Sequence, residues 1–186
     1  EFEAHAIARS TIRAGDCGTF LLLDIGATRT GLAIISRGII TFTSTISVGG
    51  YSLTESVAKA LGISFKEAER RKEERGLLDG KEELLYQVLL ARLSILRDEI
   101  LKHFTYARTH ENIIGKNSSV ERIILCGGEA NVPGLPNYFA TTLETDIEIA
   151  NPWVNINSLA EYVPEIPSNH ALRYATALGL ALNSAS

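Results

Sequence analysis

Two small-residue turns, each entered from a run of apolar residues, constrain this chain more than any other feature. The first is Leu21-Leu22-Leu23-Asp24-Ile25-Gly26-Ala27-Thr28-Arg29-Thr30-Gly31. The second is Ile123-Ile124-Leu125-Cys126-Gly127-Gly128-Glu129-Ala130-Asn131-Val132-Pro133-Gly134-Leu135. A strand that ends in residues without bulk lets backbone N–H groups approach an anion closely. One such turn would merely reverse the chain. Two of them point to one nucleotide gripped from two sides.

Asp24 stands where the first strand meets its turn. A carboxylate there ligates magnesium directly or through its waters, while Gly26, Ala27 and Thr28 offer N–H groups to phosphates. The competing reading is a plain hairpin whose aspartate accepts local backbone bonds. Gly127-Gly128 either lets the backbone pass under a base or ribose, or simply joins a strand to a helix. Glu129 sits awkwardly beside an anionic ligand, because its charge repels phosphate unless it faces ribose or metal.

The formal net charge of -4 argues against a general nucleic-acid binder. Cys17 and Cys126 form no metal-ligand pattern, and Cys126 at the end of a buried strand reads as an inert, reduced thiol. No run is long and apolar enough to span a membrane, and no signal peptide stands out. The chain contains no methionine. Residues 1–12 read as the end of a helix with Phe2, Ala6 and Ile7 as its apolar patch and no start signal, so a fragment of a longer protein is expected.

Along the chain, Thr19 to Asp24, Gly31 to Ser36 and Ile39 to Ser47 read as a strand meander, with Arg37-Gly38 as a tight hairpin turn. Ser52-Leu53-Thr54-Glu55 reads as a capping box opening a helix that stops at Gly62. Ser64 to Glu67 opens a charged helix that ends at Gly76. Its charges read as a solvated face laced with pairs such as Glu67 with Arg71. A long helix from Lys81 to Ala107 carries the stripe Leu85, Leu89, Leu93, Leu96, Ile100, Phe104 and Ala107, which is core. Arg122 to Cys126 and Ile147 to Ala150 read as strands, Leu135 to Leu143 and His170 to Asn183 as helices. Asn155 to Asn169 reads as an irregular loop.

A meander opening with Asp-Ile-Gly, then helices, then a strand ending in Gly-Gly resembles the second half of the actin-like nucleotide-binding fold, shared by actin and FtsA relatives. Within that group the chain is similar to the PilM family of type IV pilus assembly. The resemblance rests on Val48-Gly49-Gly50, Leu53-Thr54-Glu55, Leu61-Gly62, Ala68-Glu69, Pro133-Gly134-Leu135, Ala150-Asn151-Pro152 and Ala177-Leu178-Gly179-Leu180-Ala181. It covers nearly all of this chain and about half of the family's length.

The resemblance implies an α/β, ribonuclease H-like ATPase domain: a mixed sheet with helices on both faces and a small subdomain at residues 50–80. Residues 1–12 would then close a first lobe and residues 13–186 form the second. Asp24 to Thr30 resembles the second phosphate loop, and Leu125 to Leu135 the adenosine loop. Ala68-Glu69-Arg70-Arg71-Lys72 through Gly76 resembles the FtsA-like segment whose Glu and Lys approach ribose and adenine. The implied nucleotide set is Asp24, Gly26, Ala27, Thr28, Glu69, Lys72, Gly127, Gly128 and Glu129, with ATP as ligand and Mg2+ near Asp24. No catalytic residue is assigned. The implied role is a cytoplasmic adaptor that meets the cytoplasmic tail of PilN and other inner-membrane pilus proteins.

The chain departs from the family in its reduced loop Ala27-Thr28-Arg29 and in Glu129, where a small residue is usual. Two further readings stand beside this one. A scaffold keeps the fold and has lost the nucleotide. A sugar kinase of the ROK type opens with a similar aspartate loop, but Asp79 and Asp98 open no glycine loop and the chain is short for a full kinase.

Overall fold

The computed structural model describes residues 3–78, 82–110, 119–156 and 164–184. A five-stranded mixed sheet carries the fold, with strand order β3-β2-β1-β4-β5. β1 (Thr19–Ile25), β2 (Thr30–Ser36) and β3 (Ile39–Ile46) form the expected antiparallel meander. β4 (Arg122–Cys126) and β5 (Ile147–Ile149) continue it in parallel on the other side of β1. β1 is therefore central and covered on both faces. That is why it reads as an unbroken apolar run rather than an alternation, with Phe20, Leu21, Leu23 and Ile25 wholly buried. β3 is an edge strand and does alternate, its threonines Thr43 and Thr45 exposed and Ile46 buried.

Helices cover both faces. The long helix α4 (Glu83–Thr109) packs its predicted stripe inward: Leu85, Leu89, Leu93, Leu96, Ile100 and Ala107 are all buried. Its last turns lie on β3, where His103 hydrogen-bonds Ser44 and Tyr106 packs on Phe42. α1 (Glu3–Thr11) and α7 (Ala175–Ser184) cross on the opposite face. The crossing is close because Gly179 has no side chain: a Cβ there would overlap the Ala6 carbonyl. Ser10 Oγ donates to the Ala175 carbonyl at 2.8 Å, and Arg9 to the Gly179 carbonyl at 2.9 Å. Asn155 finishes α1, its amide donating to the carbonyls of Arg9 and Ile12.

α2 (Gly50–Leu61) and α3 (Phe65–Arg75) pack against each other, with Tyr51 on Phe65 and Thr54 on Glu69. Gly62 closes α2 in the left-handed conformation, and Ser64 caps α3 by accepting the Glu67 N–H, both as expected. Gly76 and Leu77 then bind α3's exit to Pro133 through the Leu77 N–H and the Pro133 carbonyl, at 2.7 Å. α5 (Leu135–Leu143) follows β4 and packs on β5 and α4.

Three expectations need correction. Ser52 does not cap α2. The helix begins at Gly50, and its first amides are satisfied by carbonyls of the Asp24 turn: Gly50 N–H to Gly26 and Tyr51 N–H to Ala27, at 3.0 and 2.7 Å. With those donors already paired, Ser52 turns its hydroxyl back to the Gly49 carbonyl instead. The helix expected from His170 to Asn183 begins earlier and is interrupted: α6 (Ser168–Ala171) tightens into a 3-10 turn at Leu172–Tyr174 before α7 resumes. The tightening buries Leu172 under the end of β4, where its carbonyl accepts the Cys126 thiol. β5 stops at Ile149, one residue short of the expected end, although the Ala150 N–H still reaches the Leu125 carbonyl. Phe2, Asp79, Lys81 and residues 157–163 of the expected loop lie outside the described residues.

Candidate functional site

β1 and β4 run parallel and side by side, so both turns leave the same end of the sheet. Asp24 pairs in register with Cys126, which places its carboxylate beside Gly127. Gly127 has φ +83, a conformation that favours glycine. A Cβ at that residue would overlap the Ile25 carbonyl and stand 2.6 Å from Asp24 Oδ1. The two turns thus close on each other, backbone against carboxylate, with no room for a side chain between them.

The first turn is braced from behind. Gly26 N–H donates to the Arg29 carbonyl, and the carbonyls of Gly26 and Ala27 are taken by α2. Ala27, Thr28 and Arg29 are left exposed on the open side. Arg29 reaches Glu3 of α1 at 3.1 Å. Asp24 itself is only partly exposed. Burial pushes its carboxyl up to about 6; Glu3 adds to that rise and Arg29 opposes it.

A cavity of about 550 Å3 opens where the turns meet. Asp24, Gly26 and Ala27 line it from the first turn, Gly127, Gly128 and Glu129 from the second, and Glu69 and Glu73 from α3. The structure therefore brings together seven of the nine residues singled out from the sequence. Thr28 lies on the exposed rim of the first turn, outside that lining. Lys72 lies behind it, lining an adjoining cavity of about 320 Å3.

Lys72 has no exposed surface. Its ammonium is 2.7 Å from Glu129 Oε2 and 3.0 Å from Glu69 Oε2. Thr54 of α2 donates to Glu69 as well. This cluster answers the awkward placement of Glu129: it lines the cleft with its charge paired to Lys72. Burial raises the Glu129 carboxyl and Lys72 pulls it back down. The cluster ties α2, α3 and the 3-10 turn Gly128–Asn131 to one another.

Two cleft residues had no signal in the sequence. Tyr51 lines the large cavity and sets its ring edge-on to Phe65, with centroids 5.8 Å apart. Arg173 lies on Gly128 and reaches Glu73 at 3.1 Å. Arg173 falls inside the helix expected from His170 to Asn183, whereas the structure places it in a 3-10 turn with its side chain over Gly128.

Sheet order, helices on both faces and a cleft between two strand-end turns define an actin-like fold. The solved "PilM-PilN type IV pilus biogenesis complex" shares it, with a TM-score of 0.80 at 23% identity over 100% of this chain and 52% of that one. MreB5 of Spiroplasma citri bound to ADP superimposes with a TM-score of 0.73 at 21% identity, over 98% of this chain and 58% of its own. The cell division protein FtsA of Bacillus subtilis (strain 168) is 25% identical over 146 residues, covering 70% of this chain and 33% of FtsA. The family model described as type IV pilus assembly protein PilM matches residues 3–185, and the chain belongs to that family. It spans about half the length of the PilM structure and about a third of FtsA.

Proposed function

We propose that this chain is the second lobe of an actin-like, nucleotide-binding adaptor of type IV pilus assembly, with residues 1–12 closing a first lobe and residues 50–80 belonging to a smaller subdomain. The observation that carries the nucleotide reading is the contact between the Asp24 carboxylate and the Gly127 turn over one shared cavity. A carboxylate withdrawn from water and pushed up to about 6 suits a cation. Among the described residues no group of three or more metal-binding side chains forms. That composition fits Mg2+, which keeps several waters and takes one or two carboxylates plus substrate phosphates.

In this reading Asp24 holds Mg2+ through its carboxylate or the ion's waters, and the metal neutralises phosphate charge. Gly26, Ala27 and Thr28 face the phosphates. Gly127 and Gly128 form the floor under ribose and base. Glu69 approaches the ribose, while Lys72 and Glu129 hold the wall behind it. The lobe alone offers half of the phosphate contacts, so its affinity is weak. No residue of the lobe is assigned a catalytic role, and the lobe is assigned no hydrolysis of its own.

The partner follows from family membership and from the neighbour solved together with PilN. The intact protein binds the cytoplasmic tail of a PilN-type inner-membrane protein and works on the cytoplasmic side. No described helix is long and apolar enough to cross a membrane, which fits attachment through partners. A pull-down with a PilN-tail peptide tests this: the intact protein should retain the peptide and this lobe should retain little. Recovery of no pilus component, together with phosphorylation of a hexose, would favour the sugar-kinase reading instead. The scaffold reading draws on the carboxylates crowding the cleft: Glu3, Asp24, Glu69, Glu73 and Glu129. Absence of Mg-ATP binding by the intact protein would favour it.

A further inference from the structure

We propose that Arg173 and Glu73 form a clasp across the cleft that must part before a nucleotide can lie along it; this rests on the nucleotide reading above. The two adjoining cavities share Glu73, Gly128, Glu129 and Arg173 in their walls. Asp24 lines only the larger one, while Lys72, Asn131 and His170 line only the smaller. The Arg173 stem lies on Gly128, its Nε and Cγ 3.5 and 3.6 Å from where a Cβ would stand. Its guanidinium then reaches Glu73 on α3 at 3.1 Å. The ion pair therefore bridges from α3 to the 3-10 turn Leu172–Tyr174 above the glycine floor. A ligand extending from Asp24 across Gly128 into the smaller cavity has to cross it.

The pair is built to part. Its side chains are 58% and 51% exposed, so water competes for both charges and the bridge is weak. The two partners play different parts. Glu73 contributes only to the closed state. Arg173 contributes to the closed state and, once released, offers a planar cationic face to the base. Removing either should speed entry, but only removal of Arg173 should speed escape. A bridge that merely held α3 in place would give changes of the same sign for both.

Stopped-flow and equilibrium titration of the intact protein with a fluorescent Mg-ATP analogue test this. Glu73→Gln should accelerate association by up to about five-fold and tighten binding correspondingly. Arg173→Ala should accelerate association too, yet weaken overall binding about three-fold through faster dissociation. Glu74→Gln removes the same charge one residue along, where the partner is Arg70 at 2.7 Å, and should change neither rate. Both cleft side chains are half exposed, and circular dichroism should show each variant folded. Wild-type rates in both clasp variants would overturn the clasp while leaving nucleotide binding intact. Equal effects of Glu74→Gln and Glu73→Gln would also overturn it, by reducing the effect to net charge. No binding by the wild type would remove the nucleotide reading and the clasp together.

Discussion

At one end of the cleft Asp24 is withdrawn from water with no ion pair of its own among the described residues; at the other, Lys72 is withdrawn completely and held by two carboxylates. The fold raises the Asp24 carboxyl and leaves it so. It surrounds Lys72 with Glu69, Glu129 and, one step out, Thr54. On the proposed nucleotide reading, the first region is where a cation would bind. The second is complete already and works as a fastener between α2, α3 and the turn after β4.

The comparison breaks most readily at the fastener. Lys72→Met should leave Glu69 and Glu129 facing each other without a cation, and lower stability by about 3 kcal/mol in urea unfolding. A loss of only a few tenths would mean that the cluster fastens nothing. Next in size is the contact between the turns. Gly127→Ala should cost about 2 kcal/mol, because its φ of +83 and the Asp24 carboxylate both exclude a methyl group. Gly128→Ala, whose Cβ meets only the Arg173 side chain at 3.5 Å, should stay within about 0.5 kcal/mol of wild type.

An effect smaller than either of those two losses sharpens the contrast by pH. Asp24 has its carboxyl raised from 3.8 to about 6, so the folded protein keeps a proton that the unfolded chain has released. That contribution to stability is full below pH 3.8 and is lost as pH rises through about 6. Asp24→Asn cannot lose it. In metal-free buffer the variant should match wild type near pH 4 and be more stable at pH 7.5 by about 1 kcal/mol, the shift's roughly 3 kcal/mol being reduced because Asp24 is partly exposed to water, read by thermal unfolding. A variant less stable than wild type at pH 7.5 would mean that Asp24 is satisfied by the fold itself.

The elements that were legible in the sequence are those set by local chemistry. The apolar run of β1, the α4 stripe, the Gly62 stop and the Ser64 cap all depend on neighbours in the chain. Family membership was legible for a related reason, since the small-residue turns and the segments around them stay near one another in sequence. Ser52 was misread because its local pattern is a good cap, while the true partners of α2's first amides come from the Asp24 turn. Glu129 was read as an obstacle because Lys72, its counter-charge, comes from a separate helix. Arg173 and Tyr51 carried no signal at all: each reaches the cleft only through tertiary packing, one by a 3-10 turn and one by the start of α2.

Calorimetry of the intact protein with Mg-ATP tests most directly whether the two turns make one site. Binding should be measurable, and Asp24→Ala and Gly128→Val should each weaken it at least about ten-fold, the first by removing the cation's ligand and the second by filling the floor under the ribose. Unchanged affinity in both variants would contradict the account.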